Sequence, residues 1–323
     1  MINSIIGSLH VVSLATKTNF RSVTFREVAL IEGPMGWGEF SPFLEYGYEE
    51  SVPWLISAIE AAFVKTPPLL RSEIEVNATL PAINSPTEIA KILDSFTGTT
   101  VIKVKVGGAL HIDLDRIACV RDLRPAARIR IDVNGLWNIE QATQFLDQVG
   151  EIEYVEQPCS TIGELRELKK HTSTKIVGDE IIRKAKDPFN IDLSGAVDIV
   201  MLKVAPLGGI VRAMEIANHH QLPVVVSSAL ESAVGISYGL KLAGALAHLD
   251  FACGLGTGSL LADDVAHLPI IDGKIRISDV TPEISALNKL AVSSERLNWW
   301  KNRIRMTWSA GVQGYAEQRG WST

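Results

Sequence analysis

Val101-Ile-Lys-Val-Lys105, Ile129-Arg-Ile-Asp132, Glu153-Tyr-Val-Glu156, Lys175-Ile-Val-Gly-Asp179 and Asp198-Ile-Val-Met-Leu-Lys203 are short, β-branched apolar runs, each closed by a charge. The closing charges, Lys105, Asp132, Glu156, Asp179 and Lys203, follow one another at 27, 24, 23 and 24 residues. A charge at the end of a buried strand is costly unless it has a partner. Five of them at one strand–helix period predict that all five face a common point. Alone, each has an ordinary explanation: a solvated Lys-x-Lys edge, an Asp capping a helix, a Glu-Gln-Pro turn. Together, in register, they do not.

Working outward, strands are expected at 75–80, 100–106, 128–133, 152–157, 175–179, 197–203, 222–228 and 249–253. Helical periodicity lies between them at 113–123, 139–149, 161–171, 208–220 and 233–246, more weakly at 183–194. Asn138 is placed to cap the second helix, and Thr161 with Glu164 has capping-box spacing. Strands alternating with helices predict a parallel sheet with right-handed crossovers. Eight strands about 25 residues apart fit a closed barrel, which keeps its chemistry at the strand C-termini. An open sheet would gather its polar residues at one switch point. The expected fold class is therefore α/β, a TIM-type (β/α) barrel over residues 73–262.

The flanks differ. Residues 5–15 and 22–32 read as strands with a turn at 17–19, and residues 49–63 as a helix presenting Val52, Leu55, Ile56, Ile59 and Phe63. Residues 1–72 are thus expected to form an α+β capping domain. Residues 263–323 leave the barrel period and are expected to pack back on it.

The 323 residues are 46% hydrophobic, ample for such a core, and a net charge of −6 with no basic run gives no reason to expect a nucleic-acid partner. No stretch approaches the roughly 20 apolar residues of a membrane span. The N-terminus lacks the basic start of a signal peptide and reads as a first β-strand. Cys119, Cys159 and Cys253 show no ligand or disulfide spacing, so a reducing, cytoplasmic setting is expected. The oligomeric state is left open, a monomer being compatible with the pattern.

Asp132, Glu156 and Asp179 would come from three consecutive strands, where three carboxylates repel unless a cation neutralises them. Hard oxygen donors favour Mg²⁺, with Mn²⁺ as a substitute; the strand ends carry no His or Cys to suggest zinc. Spacing alone does not choose between Asp179 and Glu180. An amine beside a second cation and a metal has a depressed pKa, so Lys105 is the expected base for a proton next to a carboxylate, with an enolate as the metal-stabilised result. Lys103 shares its strand face, and Lys203 would approach from the opposite side of the mouth. Arg130 would lie one layer deeper and Asn134 one layer nearer the loop.

At these residues the chain resembles the enolase superfamily. The matching pieces are Lys103-Val-Lys105, Asp132-Val-Asn-Gly135, Glu156-Gln-Pro158, Gly178-Asp-Glu180 and Lys203 ahead of Gly208-Gly209. A Lys base with Mg²⁺ is a known arrangement of that superfamily. The order of the charges is similar to the muconate-lactonising subgroup. Phe20-Arg-Ser-Val-Thr-Phe-Arg-Glu27, Gly36-Trp-Gly-Glu-Phe-Ser-Pro-Phe43, Ser227-Ser-Ala-Leu-Glu-Ser-Ala-Val-Gly235 and Cys253-Gly-Leu-Gly-Thr-Gly258 resemble the members of the subgroup that dehydrate a ring carboxylate.

The resemblance implies loss of water from 2-succinyl-6-hydroxy-2,4-cyclohexadiene-1-carboxylate, giving o-succinylbenzoate for menaquinone synthesis. It implies Lys105 as base and then acid in a syn elimination, Lys103 as electrostatic support, and Asp132, Glu156 and Asp179 as Mg²⁺ ligands. Lys203 would lie over the opposite ring face as a cation–π partner. Arg130 and Asn134 would stand near substrate and metal, while Ser227, Ser228, Leu230, Gly254, Gly256 and Phe20 would meet the substrate. Two opposed lysines serve racemisation of an N-succinylamino acid or epimerisation of a dipeptide equally well. A cycloisomerase and a non-catalytic barrel scaffold are further alternatives. The loops at 16–22 and 41–49 are expected to choose among them.

Overall fold

A computed structural model describes residues 1–20 and 23–321, the side chains of Asn19 and Phe20 excepted. The chain opens with helix α1 (Ile2–Gly7), followed by an antiparallel sheet of β1 (Leu9–Phe20), β2 (Val23–Gly33) and β3 (Gly36–Phe40), on which helix α2 (Tyr48–Phe63) packs. The start of the chain therefore differs from the expected strand. Ile5 is fully buried in a cluster with Trp54, Trp300 and Ile304. Packing against a distant helix overrides the β preference of a short Ile-rich run. The first two strands pair as far as Phe20 with Val23, beyond the turn expected at 17–19, which leaves the reversal outside the described residues.

β4 (Glu73–Glu75) then leads into a parallel sheet of β5 (Ala78–Leu80), β6 (Val101–Lys105), β7 (Arg128–Asp132), β8 (Tyr154–Glu156), β9 (Ile176–Gly178), β10 (Ile199–Lys203) and β11 (Val224–Ser227), in sequential order. The helices between and after them are α3 (Pro86–Asp94), α4 (Leu110–Leu123), α5 (Ile139–Gln148), α6 (Ile162–Leu168), α7 (Glu180–Arg183), α8 (Val204–Leu207), α9 (Ile210–His220) and α10 (Ala233–Ala245). Reciprocal capping boxes begin α5, at Asn138 with Gln141, and α6, at Thr161 with Glu164. The weak helical pattern at 183–194 resolves into α7 and a 3₁₀ turn, Pro188–Asn190.

The eighth strand, expected at 249–253, is reduced to single bridges. Cys253 pairs with Val76 and Gly254 with Ser227, so this segment joins β11 to the start of the barrel. The glycine is required, because a Cβ on Gly254 would lie 2.3 Å from Ser227 Oγ. Seven strands and this seam give eight positions around the ring, as the barrel rule asks. One interior layer is apolar: Tyr154, Val177, Ile199, Met201 and Val225, with Phe251 against them. Beyond the seam, β12 (Lys274–Arg276) pairs with β4, followed by α11 (Ile284–Lys289), α12 (Ser294–Thr307) and α13 (Gln313–Gln318). Trp300 and Ile304 of α12 and Val312 join Phe40 and Trp54 in one core under the N-terminal sheet.

Candidate active site

Strand register sets the charges level. Lys105 pairs with Asp132, and Asp132 with Glu156, at the C-terminal ends of β6, β7 and β8. Side chains alternate along a strand, so Lys103, Lys105, Arg130, Asp132, Tyr154 and Glu156 all belong to the interior face. Counting around the ring, β6 and β10 hold the second and sixth of eight positions, which places Lys105 and Lys203 across the mouth from each other.

The set is out of water. Asp132 is 1% exposed, Glu156 and Asp179 0%, and Lys105 8%. Burying ions costs several kcal/mol each unless they are matched. Here each carboxylate meets a cation. Lys103 donates to Glu156 Oε2 at 2.7 Å and lies 3.3 Å from Asp132 Oδ2. Lys105 donates to Asp132 Oδ2 and, at 3.0 Å, to Asn134 Oδ1. Lys203 donates to Asp179 Oδ2 at 2.5 Å. Arg183, four residues after Asp179, donates to both its oxygens at 3.2 and 3.3 Å, and at 2.6 Å to Glu180 Oε1. Asp179 thus faces the barrel interior beside Lys203. Glu180 begins α7 and accepts from Asn134 Nδ2 at 3.3 Å.

These pairings set the proton affinities. Burial pulls Lys103 down, but Glu156 and Asp132 outweigh it and hold the ammonium above its ordinary value. Burial pushes Asp179 up, but Lys203 and Arg183 reverse this and hold its carboxyl below the usual range. Glu156 is pushed up to about 7 by burial and then by Asp132, with Lys103 and Lys203 opposing.

Among the described residues no three His, Cys, Asp or Glu side chains converge closely enough to hold a metal ion, since ammonium and guanidinium groups take the carboxylate oxygens. The donor set still fits a hard divalent cation. Three buried carboxylates stand on or directly after consecutive strands, and the buried Oε1 of Glu156 has no hydrogen-bond partner among the described residues.

A cavity of about 30 Å³ lies at the mouth, lined by Phe43, Thr79, Lys103, Lys105, Asp132, Lys203, Ser227, Ser228, Ala229, Leu230 and Thr257. It is far below the ~300 Å³ of an ordinary ligand pocket. A larger cavity of about 330 Å³ beside Asp264 and His267 touches none of the five charges, and chemistry rather than volume locates the site.

The remaining expected residues are placed as follows. Ser227, Ser228 and Leu230 line the cavity, and Ser228 Oγ meets Thr257 Oγ1 at 2.7 Å. Arg130 lies one layer below, bonded to Glu153, Asn77 Oδ1 and the Ala252 carbonyl, with its guanidinium 4.7 Å over Tyr154. It builds the barrel floor instead of the cavity wall. Gly254 forms the barrel seam, and Gly256 lines the neighbouring larger cavity. The side chain of Phe20 lies outside the described residues.

Five contributors escaped a reading based on strand-end charge. Thr79 lines the cavity from β5. Gln157, held at φ +41°, turns its amide oxygen to the backbone N–H groups of Asp179 and Ile181, fixing the turn that presents Asp179. Arg116 donates to the Lys105 carbonyl at 2.9 Å, while Asp113 accepts from Gly107 and Gly108, and together they brace the loop after Lys105. Arg183 was legible only as a basic residue one helical turn after Asp179.

Two family models match the chain: one described as enolase N-terminal domain-like over residues 11–62, and one as enolase C-terminal domain-like over residues 89–282. The o-succinylbenzoate synthase of Mycobacterium marinum is 47% identical over 308 residues, 93% of each chain. That of Mycobacterium tuberculosis is 43% identical over 321 residues, 97% of this chain and 98% of the relative. Among solved structures, a muconate lactonizing enzyme superposes with TM-score 0.72 at 23% identity over 88% of this chain and 98% of its own. The L-Ala-D/L-Glu epimerase of Bacillus subtilis gives 0.72 at 21% identity over 85% and 96%. At that identity these two speak for the fold alone.

Proposed function

Because the chain belongs to the enolase superfamily, we propose that its ring of buried strand-end charges serves the elimination of water from 2-succinyl-6-hydroxy-2,4-cyclohexadiene-1-carboxylate. The chain is an enzyme, a carbon–oxygen lyase that forms o-succinylbenzoate, the reaction of the relatives it matches over nearly its whole length. That full-length identity is the observation that carries the reaction. The site residues carry our account of how it proceeds.

In this account Lys105 removes the proton next to the ring carboxylate and returns it to the departing hydroxide on the same face, a syn elimination. The C–H and C–O bonds break, a ring double bond forms, and water leaves. Lys103, held cationic by Glu156 and Asp132, keeps the field at the Lys105 amine positive. Lys203, across the mouth, faces the other side of the ring as it flattens. The superfamily implies a divalent cation; we assign Asp132, Glu156 and Asp179 to hold it, name Mg²⁺ with Mn²⁺ as substitute, and expect it to stabilise charge on the substrate carboxylate. Since the product is aromatic, the reaction is downhill, and a base, a cation and a shaped pocket suffice. Three free cysteines suit a reducing cytoplasm. Among the described residues no helix is long and apolar enough to cross a membrane.

The test follows loss of the cyclohexadiene absorbance with enzyme and Mg²⁺, alongside deuterium uptake at the α carbon of N-succinyl amino acids in D₂O. Rapid dehydration with little exchange is expected. Exchange without dehydration overturns the reading in favour of a racemase.

A further inference from the structure

Arg26 belongs to β2, in the N-terminal unit rather than the barrel, and is 3% exposed. Its guanidinium is a fork between two walls of the active-site cavity. Nε donates to the Leu230 carbonyl at 3.2 Å, and Nη2 donates to the Ser41 carbonyl. Its Cζ sits 4.3 Å over the Phe43 ring. Phe43 and Leu230 both line the cavity that Lys103, Lys105, Lys203 and Asp132 also line.

Both walls need holding. Leu230 has φ +64°, a left-handed conformation that a residue with a Cβ rarely adopts. The preceding residue is fastened separately, the Ala229 N–H donating to Glu231 Oε2 at 2.6 Å. Ser41 is fastened by its hydroxyl, which donates to Glu39 Oε1 at 2.6 Å. Arg26 is the group that joins the two fastenings, and Glu39 and Glu231 supply the negative charge around it. A lysine keeps the charge but has no planar fork to reach two carbonyls and stack on a ring at once.

We infer that Arg26 is a positioning residue for substrate specificity: it holds Leu230 and Phe43 together as the apolar wall that meets the non-reacting part of the substrate. This rests on the dehydration reading above. It predicts a loss of binding common to ground state and transition state, which raises KM and leaves kcat.

The test compares wild type, Arg26→Lys and Arg26→Met by steady-state dehydration, by calorimetric binding of o-succinylbenzoate, and by Mn²⁺ affinity. For Arg26→Lys the expected result is a KM raised about tenfold, product affinity lowered by a similar factor, kcat within about threefold, and Mn²⁺ affinity unchanged. Phe43→Leu, which alters the same wall and the ring under the guanidinium while keeping the buried charge and its two carbonyl bonds, is expected to reproduce the KM effect and stands in if Arg26→Met does not fold. Folded Arg26→Lys with KM and product affinity within twofold of wild type overturns the inference. So does a fall in kcat and Mn²⁺ affinity together, which is damage to the charged end. A wild type that does not dehydrate overturns the parent reading and this one with it. An active wild type with an unaffected Arg26→Lys overturns this one alone.

Discussion

The barrel mouth and the seam between the two units both bury carboxylates, but they answer them differently. At the mouth Asp132, Glu156 and Asp179 are met by side-chain cations. At the seam Glu39 accepts from the Ser232 and Gly235 N–H groups at the start of α10. Glu60 accepts from the Ile210 N–H at 2.5 Å, at the start of α9, and from Tyr238 Oη at 2.7 Å. The N–H groups of a helix N-terminus are fixed in place and carry partial positive charge. Ammonium groups on four-carbon stems can move. The same charge type therefore serves as a permanent clip in one place and as an exchangeable partner in the other. Where the backbone supplies the partner, carboxylates dock domains; where lysine supplies it, they remain available to a cation and a substrate.

The comparison breaks most visibly at Lys105. Lys105→Ala is expected to lower kcat for dehydration by about 10⁴-fold, the upper range for loss of a general base, with Mn²⁺ still binding by calorimetry. Near-normal turnover removes Lys105 as the base. At the seam the expected effect is on stability. Glu60→Ala strands two helix-start N–H groups and the Tyr238 hydroxyl, and is expected to cost about 3 kcal/mol in urea unfolding while the chemistry of the folded enzyme is retained. A loss below about 1 kcal/mol means that the clip is not holding the domains. Between these lies the choice left open by sequence. Asp179→Asn is expected to weaken Mn²⁺ binding by about a hundredfold and Glu180→Gln by only a few fold, because Asp179 faces the interior and Glu180 faces Asn134. The reverse order reassigns the ligand.

The mouth was readable because a charge interrupting a β-branched run is conspicuous, and because the strand–helix period puts such interruptions in register. Lys105, Asp132, Glu156 and Lys203 needed only strand ends and spacing; Asp179 needed the structure to separate it from Glu180. The seam was not readable. Glu39 and Glu60 are ordinary residues in a strand and a helix; across the seam they accept from backbone N–H groups 150 or more residues away, beside the Ser232 and Tyr238 hydroxyls, and a backbone N–H has no sequence signature. Gly209, whose added Cβ would lie 2.4 Å from Glu60 Oε1, is the only trace, visible as half of Gly208-Gly209. The same alternation put Arg130 on the interior face one layer below Asp132, where the structure has it, but its partners there, Glu153, Asn77 and the Ala252 carbonyl, left no trace in the pattern. The eighth strand, expected at 249–253, is present only as the single bridges of Cys253 to Val76 and Gly254 to Ser227.

The smallest expected effect sharpens the seam from its edge, at Glu231 and Asp264. Burial and then the nearby Glu39 charge push Glu231 up to about 7, with the Ala229 N–H opposing. Burial pushes Asp264 up to about 7, against the N–H groups of Ala233 and Val265. Unfolded carboxyls titrate near 4, so between about pH 4 and 7 the folded state binds more protons than the unfolded state. Stability then falls as pH rises through that window and levels off above about 7. This is opposite in sign to Asp179, whose lowered value adds stability that is present at neutral pH and lost in acid. Urea unfolding of wild type and Glu231→Gln at pH 5, 6, 7 and 8 separates the seam's share from other titrations. The difference between the two is expected to move steadily in favour of the variant as pH rises from 5 to 7. A difference independent of pH means that Glu231 keeps its charge throughout, and that Arg26, rather than a proton, neutralises it.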